Sequence, residues 1–142
     1  MALAAAQVID ALAARLVPMP ATGGRVYTSR AWPIVPADLP AWRITAEDEA
    51  VALDITEGVN RHELSVAATA YARATADLDD SLHALAEGGL ALLFAPAVPY
   101  GLQLQRIARQ LGGESEDALG SITLHLGATF WAAPATPGTI YS

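Results

Sequence analysis

The stretch Arg61–Arg73, RHELSVAATAYAR, decides how the fold is predicted. Its apolar residues recur at every second position, which is the period of a β-strand with one buried face. One face is predicted to carry Leu64, Val66, Ala68 and Ala70, and the other His62, Ser65, Thr69 and Tyr71. The stretch therefore predicts a long strand whose apolar face must be covered by a second layer.

Further strands are predicted on both sides of this one. Ser121–Ala132, SITLHLGATFWA, alternates so that Phe130 belongs to the apolar face and Trp131 to the polar one. Ala41–Ala46 also alternates, and after it Val51, Leu53 and Ile55 alternate toward a turn at Gly58-Val59-Asn60. Between these two runs, the carboxylates of Glu47, Asp48 and Glu49 predict a solvated acidic loop.

Two helices are predicted. Residues 3–17 show Val8, Leu12 and Leu16 at helical spacing, and Pro18 ends the pattern. Thr75–Leu93 is the second, with acidic residues in its first turn and Gly88-Gly89 as a place where it could end or bend. Its buried stripe is predicted to be Leu78, Leu82, Leu85 and Leu92.

The segment Gly101–Leu111 carries two patterns. Leu104, Ile107 and Leu111 lie at helical spacing, whereas residues 102–105 alternate like a strand. Periodicity alone slightly favours a helix here.

The segment Arg25–Pro40, RVYTSRAWPIVPADLP, begins as a short strand at residues 25–29 and continues as chain stiffened by proline. Such extended chain with Arg30 and Trp32 suits contact with a partner surface. A connecting loop with a partly buried tryptophan explains the same residues. The residues leave both interpretations open.

Composition limits the class of protein. The chain has 142 residues, which predicts one domain, and no cysteine, which excludes disulfides and thiolate metal sites. The formal charge of -7 argues against binding nucleic acid through the overall field. The longest apolar run, Leu90–Val98, is far shorter than the roughly 20 residues that span a bilayer, so no membrane anchor is predicted.

No catalytic, cofactor or metal site is predicted. His62, His83 and His125 are isolated in sequence, and no ligand spacing links them. The carboxylates of Glu47–Glu49 lack the further spaced oxygen ligands of a calcium loop. The chain is therefore predicted not to be an enzyme and to act through its shape and its docking surfaces.

The order of these features resembles the phage minor tail protein U family, the tail terminator (tail completion) proteins of long-tailed phages. The resemblance reaches about Ala132, and the residues beyond it depart from the family pattern. It rests on the N-terminal helix, Val26–Arg30, Asp38–Ile44 followed by Glu47–Glu49, the Arg61–Ala70 strand, the helix opened by Leu78-Asp79-Asp80, and Leu119–Leu124.

The resemblance implies an α+β fold: a mainly antiparallel sheet with two helices on one face and a C-terminal β-hairpin. It implies that Gly101–Leu111 is a strand, paired with Ser121–Ala132 around the Gly112–Gly120 loop. Residues 1–133 would form one domain and residues 134–142 an extended tail, mobile when the domain is alone.

The resemblance also implies a function in the virion tail of a phage, a prophage or a phage-like particle, with the protein made in the host cytoplasm. Copies would form a ring, usually a hexamer, that caps the tail tube, ends its polymerisation and presents a surface to the head-side connector. DNA would only pass through the channel. Candidate subunit or partner contacts are Tyr27, Arg30, Trp32, Asp38, Glu47, Asp48, Glu49, Glu114 and Glu116.

Two alternatives remain at this point. A head-tail stopper or connector protein would bind the portal side instead of the tube end. A small-molecule-binding domain of unknown chemistry would show a deep pocket with several titratable groups.

Overall fold

The computed structural model describes most of the chain. The described residues are 3–28, 39–53, 58–73, 78–95, 99–111 and 119–141. Their helices and strands are α1 (Ala4–Leu16), β1 (Val26–Tyr27), β2 (Ala41–Leu53), β3 (Asn60–Arg73), α2 (Leu78–Leu93), β4 (Gln103–Leu111), β5 (Leu119–Ala133) and β6 (Thr136–Tyr141).

The described strands form one sheet in the order β1-β2-β3-β5-β4, and β6 pairs with β5. Every pairing is antiparallel except that of β1 with β2. The predicted α+β fold is confirmed, including the hairpin of β4 and β5. The strand that the family resemblance implies at Gly101–Leu111 is correct, and the helix that periodicity favours there is wrong.

The centre of the sheet is the pair β3 and β5, in register from Asn60 opposite Ala132 to Arg73 opposite Leu119. The predicted apolar face is confirmed, because Leu64, Val66, Ala68 and Ala70 are buried. The assignment of His62 to the other face is wrong. His62 is an even-numbered residue of an unbroken strand, so it lies on the same side as Leu64.

Both helices cover this one face. α1 buries Val8, Leu12 and Leu16, as predicted. α2 buries Leu78, Leu82 and Leu85, but its last stripe position is Leu93, whereas Leu92 is only partly buried. The predicted start of α2 at Thr75 lies outside the described residues.

The predicted loop at Glu47-Asp48-Glu49 is wrong, because β2 runs through these residues. A β-bulge between Ala46 and Glu49 interrupts the ladder without ending the strand. The bulge explains why the alternation before residue 47 does not continue in phase after it.

The C-terminal segment contains β6, which pairs with the end of β5. The side-chain amide of Gln7 in α1 donates a hydrogen bond to the carbonyl of Gly138, at 2.5 Å. The segment thus contacts both the sheet and a helix.

Gly88 and Gly89 neither end nor break α2, which continues to Leu93. A Cβ on Gly89 would lie 2.6 Å from the buried ring of Trp42, whereas a Cβ on Gly88 would lie 3.1 Å from the flexible end of Met19. Gly89 is therefore the position at which the tryptophan ring approaches the helix backbone.

We expect the two glycines to respond differently to alanine. Gly88→Ala should leave the free energy of unfolding unchanged or raise it by up to about 1 kcal/mol, since alanine favours the helix. Gly89→Ala should lower it by about 1–3 kcal/mol, because the added methyl overpacks a rigid ring. Urea unfolding of both variants measures the difference, and equal effects would contradict the Trp42–Gly89 contact.

Candidate functional site

The acidic residues Glu47 and Asp48 lie in the β2 bulge. Ala46 and Glu49 pair with residues of β3 only two positions apart, so the two residues between them stand opposite Ser65 alone. Glu47 and Asp48 both line a surface depression with Ser65 on the sheet face away from the helices. We call this face the outer face.

On the outer face, three polar side chains form a chain across the sheet. Arg106 of β4 donates to Nε2 of His125 over 3.1 Å, and Nδ1 of His125 lies 3.3 Å from a carboxylate oxygen of Glu47. An arginine can only donate, so Nε2 must accept, and the imidazole proton is on Nδ1, the nitrogen nearest to Glu47. The chain connects β4, β5 and the β2 bulge.

A second bulge places Arg106 in this chain. Leu104 and Arg106 pair with the consecutive residues Leu126 and His125, so Gln105 is the extra residue of β4. The side chain of Gln105 lies over Gly127, where an added Cβ would be 2.5 Å from its amide nitrogen. Gly127 therefore leaves the space that the Gln105 side chain occupies on the outer face.

On the helix side, the bulge directs Glu49 toward His62. Nδ1 of His62 lies 2.5 Å from a carboxylate oxygen of Glu49. The imidazole ring stacks on Phe130 with a centroid distance of 5.0 Å and an interplanar angle of 13°. Phe130 and Glu49 thus hold His62 in one orientation, and His62 in turn links β2 to β3.

The three histidines lie in three separate places. His83 of α2 accepts a hydrogen bond from Nε of Arg109, at 3.1 Å, while His62 and His125 contact different carboxylates. Within the described residues, no three His, Asp or Glu side chains are grouped closely enough to hold a metal ion. The histidines instead cross-link elements of the fold.

A cleft of 590 Å³ lies between α2, the end of β3 and the turn after α1. Its described lining is mostly apolar, with Met19, Pro40 and Leu85 among its members, and its polar side chains are Arg73 and Ser81. A single arginine and a single hydroxyl do not form an acid–base or nucleophile–base pair within it.

The structure places only part of the predicted contact set. Glu47, Asp48 and Glu49 lie together in β2 and are exposed, and Tyr27 is partly buried in β1, opposite Arg43. Five predicted residues lie outside the described residues. These are Arg30, Trp32, Asp38, Glu114 and Glu116.

Neither Arg106 nor Arg109 is among the contact residues predicted from the sequence. Their spacing of three residues suits one face of a helix, and in a regular strand it would place them on opposite faces. In β4 they do lie on opposite faces, since Arg106 contacts His125 on the outer face and Arg109 contacts α2. Both arginines belong to a strand without acidic residues. That composition was the one sequence feature that could have marked them as candidate contact residues.

A scan against protein-family models matches none of them, and a search of the curated proteins finds no relative. Within the described residues, no helix has the length and apolar character needed to cross a membrane.

Proposed function

We propose that this chain is a structural protein of a phage tail or phage-like particle that forms a ring, a hexamer in the family it resembles, at the end of the tail tube. The ring ends tube polymerisation and forms the joint to the head-side connector. The observation that supports the proposal most directly is that β4 is a strand. The family resemblance requires a strand at Gly101–Leu111 where periodicity favours a helix, and β4 spans Gln103–Leu111.

The polar groups of the described surface also support the proposal. Glu47 contacts His125 in the depression of the outer face and Glu49 contacts His62 on the helix side, and both contacts tie strands of the sheet together. Such an arrangement suits a protein that works by docking. A ring also requires head-to-tail interfaces that close by rotation, and an open sheet supplies two different edges for them.

The acidic charge suits a channel that DNA must cross. A bore lined by carboxylates repels phosphates, so that DNA passes without binding. The structure of an assembled ring, determined by electron microscopy, shows which charged side chains line the bore, and a bore lined by arginines would contradict this point.

The function is tested on tail tubes. The tail tube protein from the same genome is polymerised with and without the purified chain, and tube lengths are measured by electron microscopy. We expect shorter tubes of uniform length with additional density at one end. Tubes that grow to the same length and carry no added density would contradict the proposal.

The nearest alternative within the same class is the head-tail stopper or connector. The same experiment separates the two functions when portal rings are included. A terminator binds the tube end in the absence of portal, whereas a stopper binds the portal and leaves tube growth unchanged.

The apolar cleft near Leu85 favours the other alternative, a small-molecule-binding domain. Its volume of 590 Å³ lies within the range of ligand pockets. Mass spectrometry of the purified native protein distinguishes the two functions, because a ligand-binding domain would carry or acquire a stoichiometric small molecule.

A further inference from the structure

The main path of the sheet ends in two different edges. β1 pairs only with Trp42 and Arg43, so no described strand lies beside β2 from Glu47 onward. At the other end, β4 pairs with β5 and has no described strand on its far side. An open edge presents backbone N–H and C=O groups that can pair with a strand of another molecule.

The two edges carry opposite charge. Residues 47–53 of β2, the acidic edge, hold Glu47, Asp48 and Glu49 and no base. Residues 103–111 of β4, the basic edge, hold Arg106 and Arg109 and no acid. Both arginines donate to histidine nitrogens, and an accepting imidazole is uncharged. None of the ion pairs among the described residues involves either arginine, although Arg106 lines the same depression of the outer face as Glu47 and Asp48 of its own chain.

Each edge also exposes one large apolar side chain. Val51 of the acidic edge is 55% exposed, and Leu104 of the basic edge is 41% exposed. Both lie on the helix side of the sheet: Val51 lines a depression with Ala4 of α1, and Leu104 pairs with the buried Leu126. Apolar residues on an open edge strand favour association, and here they occur on the same side of both edges.

We propose that copies of this chain join head to tail, with the basic edge of one copy adding as a strand to the acidic edge of the next. β2 and β4 run in opposite directions, because the three pairings between them are all antiparallel. A rotation about an axis parallel to the strands therefore brings β4 of one copy antiparallel to β2 of its neighbour. In this arrangement Leu104 covers Val51, and Arg106 and Arg109 face the acidic bulge.

The charges disfavour the two-fold alternative, in which two identical edges pair. Two acidic edges would bring six carboxylates together, and like charges across an interface weaken association. Head-to-tail contact uses a different edge on each side, so repeated contact gives a ring where the rotation closes and a filament where it does not. The inference rests on the proposed ring for this closure, but the pairing of the edges can be tested by itself.

Cysteine cross-linking tests the pairing directly, since the chain has no cysteine of its own. Val51→Cys and Leu104→Cys are prepared as separate proteins and treated with a short bismaleimide, alone and mixed, in the absence and presence of tail tubes. Each of these two proteins carries a single thiol, so every cross-link joins two copies.

We expect dimers on denaturing gels from the mixture and none from either variant alone. The double variant should give a ladder that ends at the number of copies in the ring. Dimers from Val51→Cys alone would show two-fold pairing and overturn the proposal. No cross-link under any condition would overturn it as well.

Charge reversal gives an independent test. Asp48→Lys and Arg106→Glu should each weaken self-association by about tenfold or more, because each faces a like charge across the contact. The matched control is Glu87→Lys on α2, which reverses a carboxylate away from both edges and should leave association unchanged. Sedimentation measures association, and thermal unfolding checks that each variant folds.

Mixing the two edge variants restores the contact. A copy with Asp48→Lys keeps its native basic edge and a copy with Arg106→Glu keeps its native acidic edge, so these two edges pair in the mixture as they do in the unchanged protein. At the other contact the lysine of Asp48→Lys and the glutamate of Arg106→Glu bring opposite charges together. We expect the mixture to associate more tightly than either variant alone. Equal association of the mixture and the single variants would overturn the charge complementarity.

The outcomes separate this inference from the proposed function. Cross-links between Val51→Cys and Leu104→Cys without any effect on tube length would support the edge pairing and contradict the terminator function. Shortened tubes without these cross-links would support the function and overturn the edge pairing.

Discussion

Trp42→Ala should lower the free energy of unfolding by about 3–5 kcal/mol, since it removes a large side chain from a packed core. Trp42 of β2 has no exposed surface, and its indole ring lies against the backbone of α2 at Gly89. Its Nε1–H points to the sulfur of Met19, at 3.3 Å. The ring thus contacts the second helix and the turn after the first. Chemical unfolding followed by circular dichroism measures the loss.

Trp42→Phe is the matched control for this variant. A phenylalanine retains most of the apolar contact with Gly89 and loses the N–H group, so we expect a smaller loss, about 1–2 kcal/mol. A domain of this size is stabilised by about 5–15 kcal/mol in total, so the difference between the two variants is measurable. A loss below about 1 kcal/mol for Trp42→Ala would contradict the packing of α2 on β2.

Phe130→Ala should have an effect of similar size, about 3–5 kcal/mol, because Phe130 of β5 is 1% exposed within the core. The substitution also removes the ring on which His62 stacks. The orientation of His62 toward Glu49 depends on that ring. The NMR chemical shifts of the His62 imidazole should therefore change in the same variant.

The neighbouring residue supplies the control. Trp131 lies on the opposite face of β5 and is partly exposed, so Trp131→Ala should cost less than half as much. A slip of one residue in the pairing of β5 would exchange the two faces. A larger loss for Trp131→Ala than for Phe130→Ala would therefore contradict the register of β3 and β5.

The central strands were predictable from sequence because their alternation is unbroken. From Leu64 to Ala70 and from Ile122 to Phe130, the even-numbered residues are apolar and all are buried. The second helix was predictable for a similar reason, although Gly88-Gly89 gave no indication that the helix continues. What Gly89 does became clear only from Trp42, a residue 47 positions earlier that the fold brings against it.

The candidate site could not be predicted because β2 and β4, two of the strands that supply its residues, each contain a bulge. At Glu47-Asp48 and at Gln105, one extra residue changes which face the following residues occupy. The first bulge made three residues of a strand look like a loop, and the second gave β4 the spacing of a helix. A bulge depends on the partner strand, so the sequence of one strand does not reveal it.

By itself, the amino-acid sequence determined the fold class, the two helices, the apolar face of the central strands and the absence of cysteine chemistry. These properties depend on local periodicity and composition, which neighbouring residues along the chain carry. Only the tertiary structure decided that Glu47 and Glu49 contact His125 and His62, that β4 is a strand with Arg106 and Arg109 at an open edge, and that Gly89 borders Trp42. The physical reason is that each of these facts is a contact between residues distant in sequence, and the pairing of strands sets which residues meet.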